Sequence, residues 1–163
     1  MGFIFPNYTF SSVTDIDKII FKEKKLIILD VDNTMFYCET SRSTPNRLSW
    51  LQALKKGRTC VFLSNSNSIE KRKKNISQMT GCEVFVSSHK KPSRKVFKEL
   101  QEAYKIPAEK IMIIGDLRIT DIWFGNRTGM TTVLVDPLGK DTLFKVWFAR
   151  VIGNILAFIV PNF

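Results

Sequence analysis

Residues 26–34 read LIILDVDNT: four aliphatic side chains in a row, then two carboxylates two positions apart, an amide and a hydroxyl. An unbroken apolar run of this length predicts a strand covered on both faces, as in a parallel sheet flanked by helices. The polar group begins where such a strand leaves the sheet. Asp and Asn also favour turns, so this stretch alone admits a reading in which Asp30, Asp32 and Asn33 only shape a bend.

Working outward, similar apolar runs recur at Val61-Phe62-Leu63, Val84-Phe85-Val86, Ile111-Met112-Ile113-Ile114 and Thr132-Val133-Leu134-Val135. Helical patterns fill the intervals: Leu48, Leu51 and Leu54 within 46–56, and Val96, Phe97, Leu100 and Tyr104 within 93–104. The alternation βαβα predicts an α/β fold, a Rossmann-like three-layer sandwich whose ligands bind beyond the carboxyl ends of the strands. Asp30 follows the first run, Ser64 the second, and Gly115-Asp116 the fourth, so three strand ends are expected to converge on one crevice.

The bulk composition is that of a globular chain. Its 163 residues fit a single domain, and 44% hydrophobic with 25% charged residues excludes disorder as the default. A net charge of +10 favours anionic partners: nucleic acid, lipid headgroups or phosphorylated substrates. Three cysteines without a CxxC spacing suggest neither a disulfide framework nor a zinc site, with Cys60 a core residue and Cys38 and Cys82 uninformative. The N-terminus lacks the features of a signal or transit peptide, and Pro6 stands where a myristoylation signal needs Ser or Thr, so no cleaved targeting segment is expected. His89 reads as a solvated loop residue. The run Lys71-Arg72-Lys73-Lys74 reads as a wet helix face or as a patch attracting an anionic surface.

The DxDxT pattern at Asp30, Asp32 and Thr34 resembles the first motif of the haloacid dehalogenase (HAD) superfamily. Ser64 in VFLSNSN is similar to the second motif, Lys91 in HKKPSRKVF to the third, and Asp116 with Asp121 in IIGDLRITDI to the fourth. The resemblance implies a magnesium-dependent phosphomonoester hydrolase. Two phosphate charges and two carboxylates repel, by about 4 kcal/mol per unit pair at 4 Å and an effective dielectric near 20. A hard, oxygen-seeking cation reverses that sign. The expected magnesium ligands are Asp30, Asp32 (through a nearby backbone carbonyl) and Asp116. Asp30 is expected as nucleophile, forming an aspartyl-phosphate, and Asp32 as acid and then base. Ser64, Asn65 and Lys91 are expected on the phosphoryl group, with Lys91 also catalytic, and Asn33, Thr34 and Asp121 in support.

The intervals from Asp30 to Ser64 and from Ser64 to Lys91 are filled by the predicted elements, leaving no room for a cap domain. The expected substrate is therefore large or presented on a surface. From Pro6 to Pro137, DVDNT, the TPNRLSWLQAL helix, SNSN, the KP dipeptide and GDLRITDIWFGNRTGM resemble the class IIIA phosphatidylglycerophosphate phosphatases of bacteria and mitochondria. That resemblance implies release of the terminal phosphate to give phosphatidylglycerol, at an anionic membrane surface. It implies a cytoplasmic chain peripheral to the inner face of the membrane, or on the matrix face in a mitochondrion. An uncapped phosphatase of phosphoproteins or nucleic-acid ends, and a non-catalytic membrane-binding module, are the competing readings. No nucleic-acid partner is expected, because few aromatics accompany the basic stretches.

The last stretch, LFKVWFARVIGNILAFIVPNF, is unusually apolar. As a helix over 143–163 it places Phe144, Trp147, Phe148, Val151, Ile155 and Phe158 on one face and Arg150, Gly153, Asn154 and Ala157 on the other. The uncharged run is too short to span a bilayer core of about 30 Å. The expected arrangement is a helix lying in the membrane interface, with packing on the sheet as core the alternative.

Overall fold

The computed structural model describes residues 3–142 and 144–159. Residues 143 and 160–163 of the expected C-terminal helix, and the first two residues considered for myristoylation, lie outside the described residues.

Six strands form one wholly parallel sheet: β1 (Tyr8–Phe10), β2 (Leu26–Leu29), β3 (Thr59–Phe62), β4 (Glu83–Val84), β5 (Ile111–Gly115) and β6 (Thr131–Val135), in the order β1-β6-β5-β2-β3-β4. The continuous apolar runs have the cause expected of them. Alternate residues of β2, Ile27 and Leu29, join Phe62, Met112 and Ile114 beneath α1 (Pro45–Leu54) and α2 (Ile69–Thr80). Leu26 and Ile28 face the other way, joining Val61, Ile111 and Ile113 beneath α3 (Arg94–Tyr104) and α4 (Trp123–Thr128). The result is the expected three-layer α/β sandwich, and between Asp30 and Lys91 the described residues hold only α1, α2, β3, β4 and their loops.

Strand β1 escaped the sequence reading because three residues carry too little periodicity to stand out. It adds to the sheet edge through Tyr8 opposite Val133 and Phe10 opposite Val135. Strand β4 ends earlier than its apolar run suggested. Val86 is exposed, although the Phe85 N–H still donates to Phe62 O at 2.8 Å.

Helix α1 begins at Thr44, whose hydroxyl accepts from the Arg47 N–H at 3.3 Å, with Pro45 in the first turn where its missing N–H costs nothing. Ser93 caps α3 in the same manner.

A fifth helix, α5 (Phe144–Ile159), lies against the π-turn Arg118–Ile122 that follows β5. Its inward side carries Arg150 and Gly153 among small and aliphatic residues, while Asn154, expected on that side, is exposed. Gly153 is buried, and a Cβ there would sit 3.1 Å from Arg118 Cβ, so the helix approaches closely at this point. Phe144, Trp147, Phe148, Ile155, Phe158 and Ile159 are all exposed, so α5 does not pack its apolar face on the sheet. Among the described residues no helix is long and apolar enough to cross a membrane.

Candidate active site

Strand β2 is the middle of the chain's path: β3 lies on one side and β5 on the other, so its carboxyl end is the switch point where α/β sheets bind ligands. Asp30 stands there. Its backbone N–H continues the ladder to Ile114 O at 2.9 Å, which fixes the residue while its carboxylate leaves the sheet.

Lys91 is the hub of the site. Its ammonium lies 2.6 Å from Asp30 Oδ1, 2.6 Å from Asp121 Oδ1 and 2.8 Å from Leu63 O, so all three protons are donated. Burial alone would lower its pKa, but Asp121 and then Asp30 more than reverse this and hold it above the usual lysine range. The main chain of Lys91 is held as firmly. Its N–H donates to Asn65 Oδ1 and its carbonyl accepts from Asn65 Nδ2, each at 2.8 Å. Asn65, expected on the phosphoryl group, thus spends its amide on positioning Lys91.

Asp116 follows β5. Its carboxylate accepts from Thr34 Oγ1 at 3.1 Å and from Arg150 at 2.6 Å. The Thr34 carbonyl in turn accepts from Arg47 Nε of α1 at 3.1 Å, tying the loop to the helix beneath it. Burial first, and then the neighbouring Asp121, push the Asp116 carboxyl up to about 6. Asp30 is raised well above the carboxylate range by burial, with Lys91 opposing and Asp121 and Asp116 reinforcing. Gly115 has a specific reason to be glycine: a Cβ there would lie 2.3 Å from Asp121 Cγ.

Among the described residues, Asp30, Asp116 and Asp121 offer carboxylate oxygens within 4.8 Å of one another, and all three are buried. An all-oxygen donor set of this kind suits a hard divalent cation. Against the three carboxylates stand Lys91 and Arg150, the latter shared with Asp141 through contacts at 2.7 Å, so negative charge remains in surplus. Asp121, expected in support, joins this side-chain trio, and the Asp32 carboxylate stands outside it. The reason is Arg72, which grips the Asp32 carboxylate with two N–H groups at 2.9 and 2.8 Å. The Glu39 N–H and the Ser64 hydroxyl also donate to Asp32, at 2.7 and 3.3 Å.

Arg72 is buried and therefore leaves the solvated run in which it was read; Lys71, Lys73 and Lys74 remain exposed. Its signal was there, three residues after Ile69 and four before Ile76, on the buried face of α2. Arg150 and Asp141 were likewise missed as site residues. Asn33 does support the loop: it adopts φ 60°, its N–H donates to Phe36 O at 2.7 Å, and its amide reaches Asp141 at 2.8 Å. His89 is exposed and bonded to Ser88 and Glu99, away from the chemistry. Cys38, Cys60 and Cys82 are buried free thiols, and burial pushes Cys60 up to about 12.

The site opens into a cleft of about 500 Å³ lined by Asp30, Asp32, Ser64, Lys90 and Lys91 on the sheet side, and by Lys145, Val146 and Ala149 of α5 on the other. The C-terminal helix is therefore one wall of the site.

The family model described as "Mitochondrial PGP phosphatase" matches residues 2–139. The chain belongs to that family. A Bacillus subtilis protein named "Probable phosphatase YqeG" is 32% identical over 135 residues, covering 82% of this chain and 77% of its own. The chloroplastic "Phosphatidylglycerophosphate phosphatase 1" of Chlamydomonas reinhardtii is 34% identical over 124 residues, 70% of this chain but 45% of its own. The Arabidopsis thaliana chloroplastic/mitochondrial protein of the same name is 26% identical, covering 85% of this chain and 42% of its own. The chain thus spans less than half the length of these two relatives.

Solved structures agree on the fold. The magnesium-bound HAD-hydrolase YfnB of Bacillus subtilis superposes with a TM-score of 0.61 over 76% of this chain and 92% of its own, at 15% identity. D,D-heptose 1,7-bisphosphate phosphatase from B. bronchiseptica, complexed with magnesium and phosphate, gives 0.53 over 68% and 79%, at 19% identity. As a member of the PGP phosphatase family, the chain is a phosphatase, and its fold is the one these hydrolases share.

Proposed function

We propose that the chain removes the terminal phosphate of phosphatidylglycerophosphate at an anionic membrane surface, through an aspartyl-phosphate on Asp30. The observation that carries the choice of substrate is the double duty of α5: Lys145, Val146 and Ala149 wall the cleft, while Phe144, Trp147 and Phe148 of the same turns face outward. A substrate anchored in a bilayer would meet the apolar face and the carboxylates together. Lys140 and Lys145 and the net charge of +10 favour an anionic surface, at about 1 kcal/mol per well-placed basic residue. The setting is the inner face of a bacterial membrane, or the matrix face in a mitochondrion.

Magnesium, held by Asp30, Asp116 and Asp121, would supply charge neutralisation and orientation of the phosphoryl oxygens. Asp30 attacks phosphorus in line; the Asp30 oxygen–phosphorus bond forms as the ester oxygen–phosphorus bond breaks. Asp32 gives its proton to the departing alkoxide and then takes one from the water that cleaves the aspartyl-phosphate, restoring Asp30 and releasing inorganic phosphate. For this, at least one N–H from Arg72 gives way, since both Asp32 oxygens accept from it at rest. Lys91, fixed at three points, offsets charge on the transferring group, and Ser64 donates to one of its oxygens.

The test is phosphate release from phosphatidylglycerophosphate in mixed micelles with and without magnesium, beside a phosphopeptide and a 5′-phosphorylated oligonucleotide, with Asp30→Asn as control. Release from the lipid, lost with Asp30→Asn and with chelation, is expected. Release from the peptide or oligonucleotide alone would refute the lipid substrate.

A further inference from the structure

The metal-ligand cluster is completed from outside the sheet. Arg150 of α5 donates to the Asp116 carboxylate at 2.6 Å and to the Asp116 carbonyl at 2.9 Å, and its remaining N–H groups hold Asp141 at 2.7 Å. Asp141 also accepts from Asn33 of the loop after β2 at 2.8 Å. Arg150 therefore fixes the orientation of Asp116 from one side while Thr34 fixes it from the other. Groups that orient a ligating carboxylate in this way affect metal affinity about as strongly as weaker ligands do. Lysine could not reproduce the contact, because only the planar guanidinium reaches Asp116 and Asp141 at once.

We propose that Arg150 is a positioning residue for Asp116, so that seating of α5 and loading of the divalent cation are one linked equilibrium. The apolar face of α5 points away from Arg150 and Gly153, and a lipid surface can take that face without unseating the helix. A surface that holds α5 in place then raises cation affinity, and the cation raises surface affinity by the same factor. This second half rests on the membrane reading given above; the first half stands without it.

Magnesium affinity is to be measured by calorimetry on the full chain for wild type, Arg150→Ala, Arg150→Lys and Asp141→Asn, each with its melting temperature recorded. Arg150→Ala is expected to weaken magnesium binding about 10- to 100-fold. Arg150→Lys falls between, and Asp141→Asn, which leaves Asp116 its partner, loses less than Arg150→Ala. Folded Arg150→Ala and Arg150→Lys proteins that bind magnesium as tightly as wild type, or more tightly, overturn the proposal. If Arg150→Ala does not fold, Arg150→Lys and Asp141→Asn decide it by the same criterion. The titration is then repeated with phosphatidylglycerol vesicles, whose own magnesium uptake is common to wild type and variant. Vesicles are expected to tighten wild-type binding at least fivefold more than they tighten binding by Arg150→Ala. Equal effects, in proteins that both sediment with the vesicles, overturn the linkage. Failure of the wild type to sediment overturns the membrane reading and with it the linkage, leaving the calorimetry to judge Arg150.

Discussion

Lys91 is the residue on which the buried charges balance, and its removal is the most informative single change. Lys91→Met leaves Asp30 and Asp121 facing one another without their shared cation. Breaking a buried pair from one side costs about 3–5 kcal/mol, so urea unfolding of the metal-free variant should show a loss of that size, and turnover should vanish with it. Asp30→Asn removes the nucleophile while keeping its shape; turnover should fall by about 10³-fold or more with melting temperature nearly unchanged. Asp116 sets a pH dependence. Its carboxyl is raised to about 6 in the folded, metal-free protein, against an unfolded value near 3.9. A raised acid favours the folded state fully below its unfolded pKa and loses that advantage as pH climbs through the folded one. The chelated protein should therefore lose stability between about pH 4 and pH 7, and magnesium at pH 7 should restore much of it. Denaturation curves at several pH values, with chelator or magnesium, check this; rising stability over that range without metal would contradict it.

Among elements, α5 separates its two sides. The outward residues Trp147, Phe148 and Phe158 are 49%, 51% and 92% exposed. Replacing all three by serine should abolish vesicle sedimentation, while each costs within about 0.5 kcal/mol of stability and hydrolysis of a small soluble phosphomonoester persists. Gly153→Val works from the inside: it drives a side chain into Arg118 and Ile119, and overpacking of this kind costs about 1–3 kcal/mol, seen as a lower melting temperature and weaker turnover on every substrate. Helices also show where sequence reading runs out. Asp30, Ser64 and Asp116 were legible because each follows an apolar run, so the sheet itself points to them. Arg72 was hidden by its solvated neighbours Lys71, Lys73 and Lys74, although its spacing from Ile69 and Ile76 marks the buried face. Arg150 was readable as polar but not as part of the site, since nothing local indicates a partner 34 positions back at Asp116. The Arg72 grip on Asp32 was hidden for the same reason: the partner comes from a distant helix.

For the molecule as a whole, the layered fold was readable because both faces of a parallel sheet are covered, which turns alternation into continuous apolar runs. Strand β1 was the exception, three residues held by pairing with β6 rather than by pattern. The net charge of +10 belongs to this scale too. Raising salt from about 0.1 M to about 1 M shortens the screening length from about 10 Å to about 3 Å, so sedimentation with phosphatidylglycerol vesicles should weaken markedly while turnover of a soluble substrate changes less. Vesicle binding indifferent to salt would assign the attraction to α5's apolar face alone.

The bare backbone at Gly115 bears on how the centre could be perturbed. Asp121 occupies the volume a methyl group would need, and Asp121 leans on the same ammonium as Asp30. Gly115→Ala would thus push on an electrostatic assembly with an uncharged wedge, detuning three ionic groups while subtracting none.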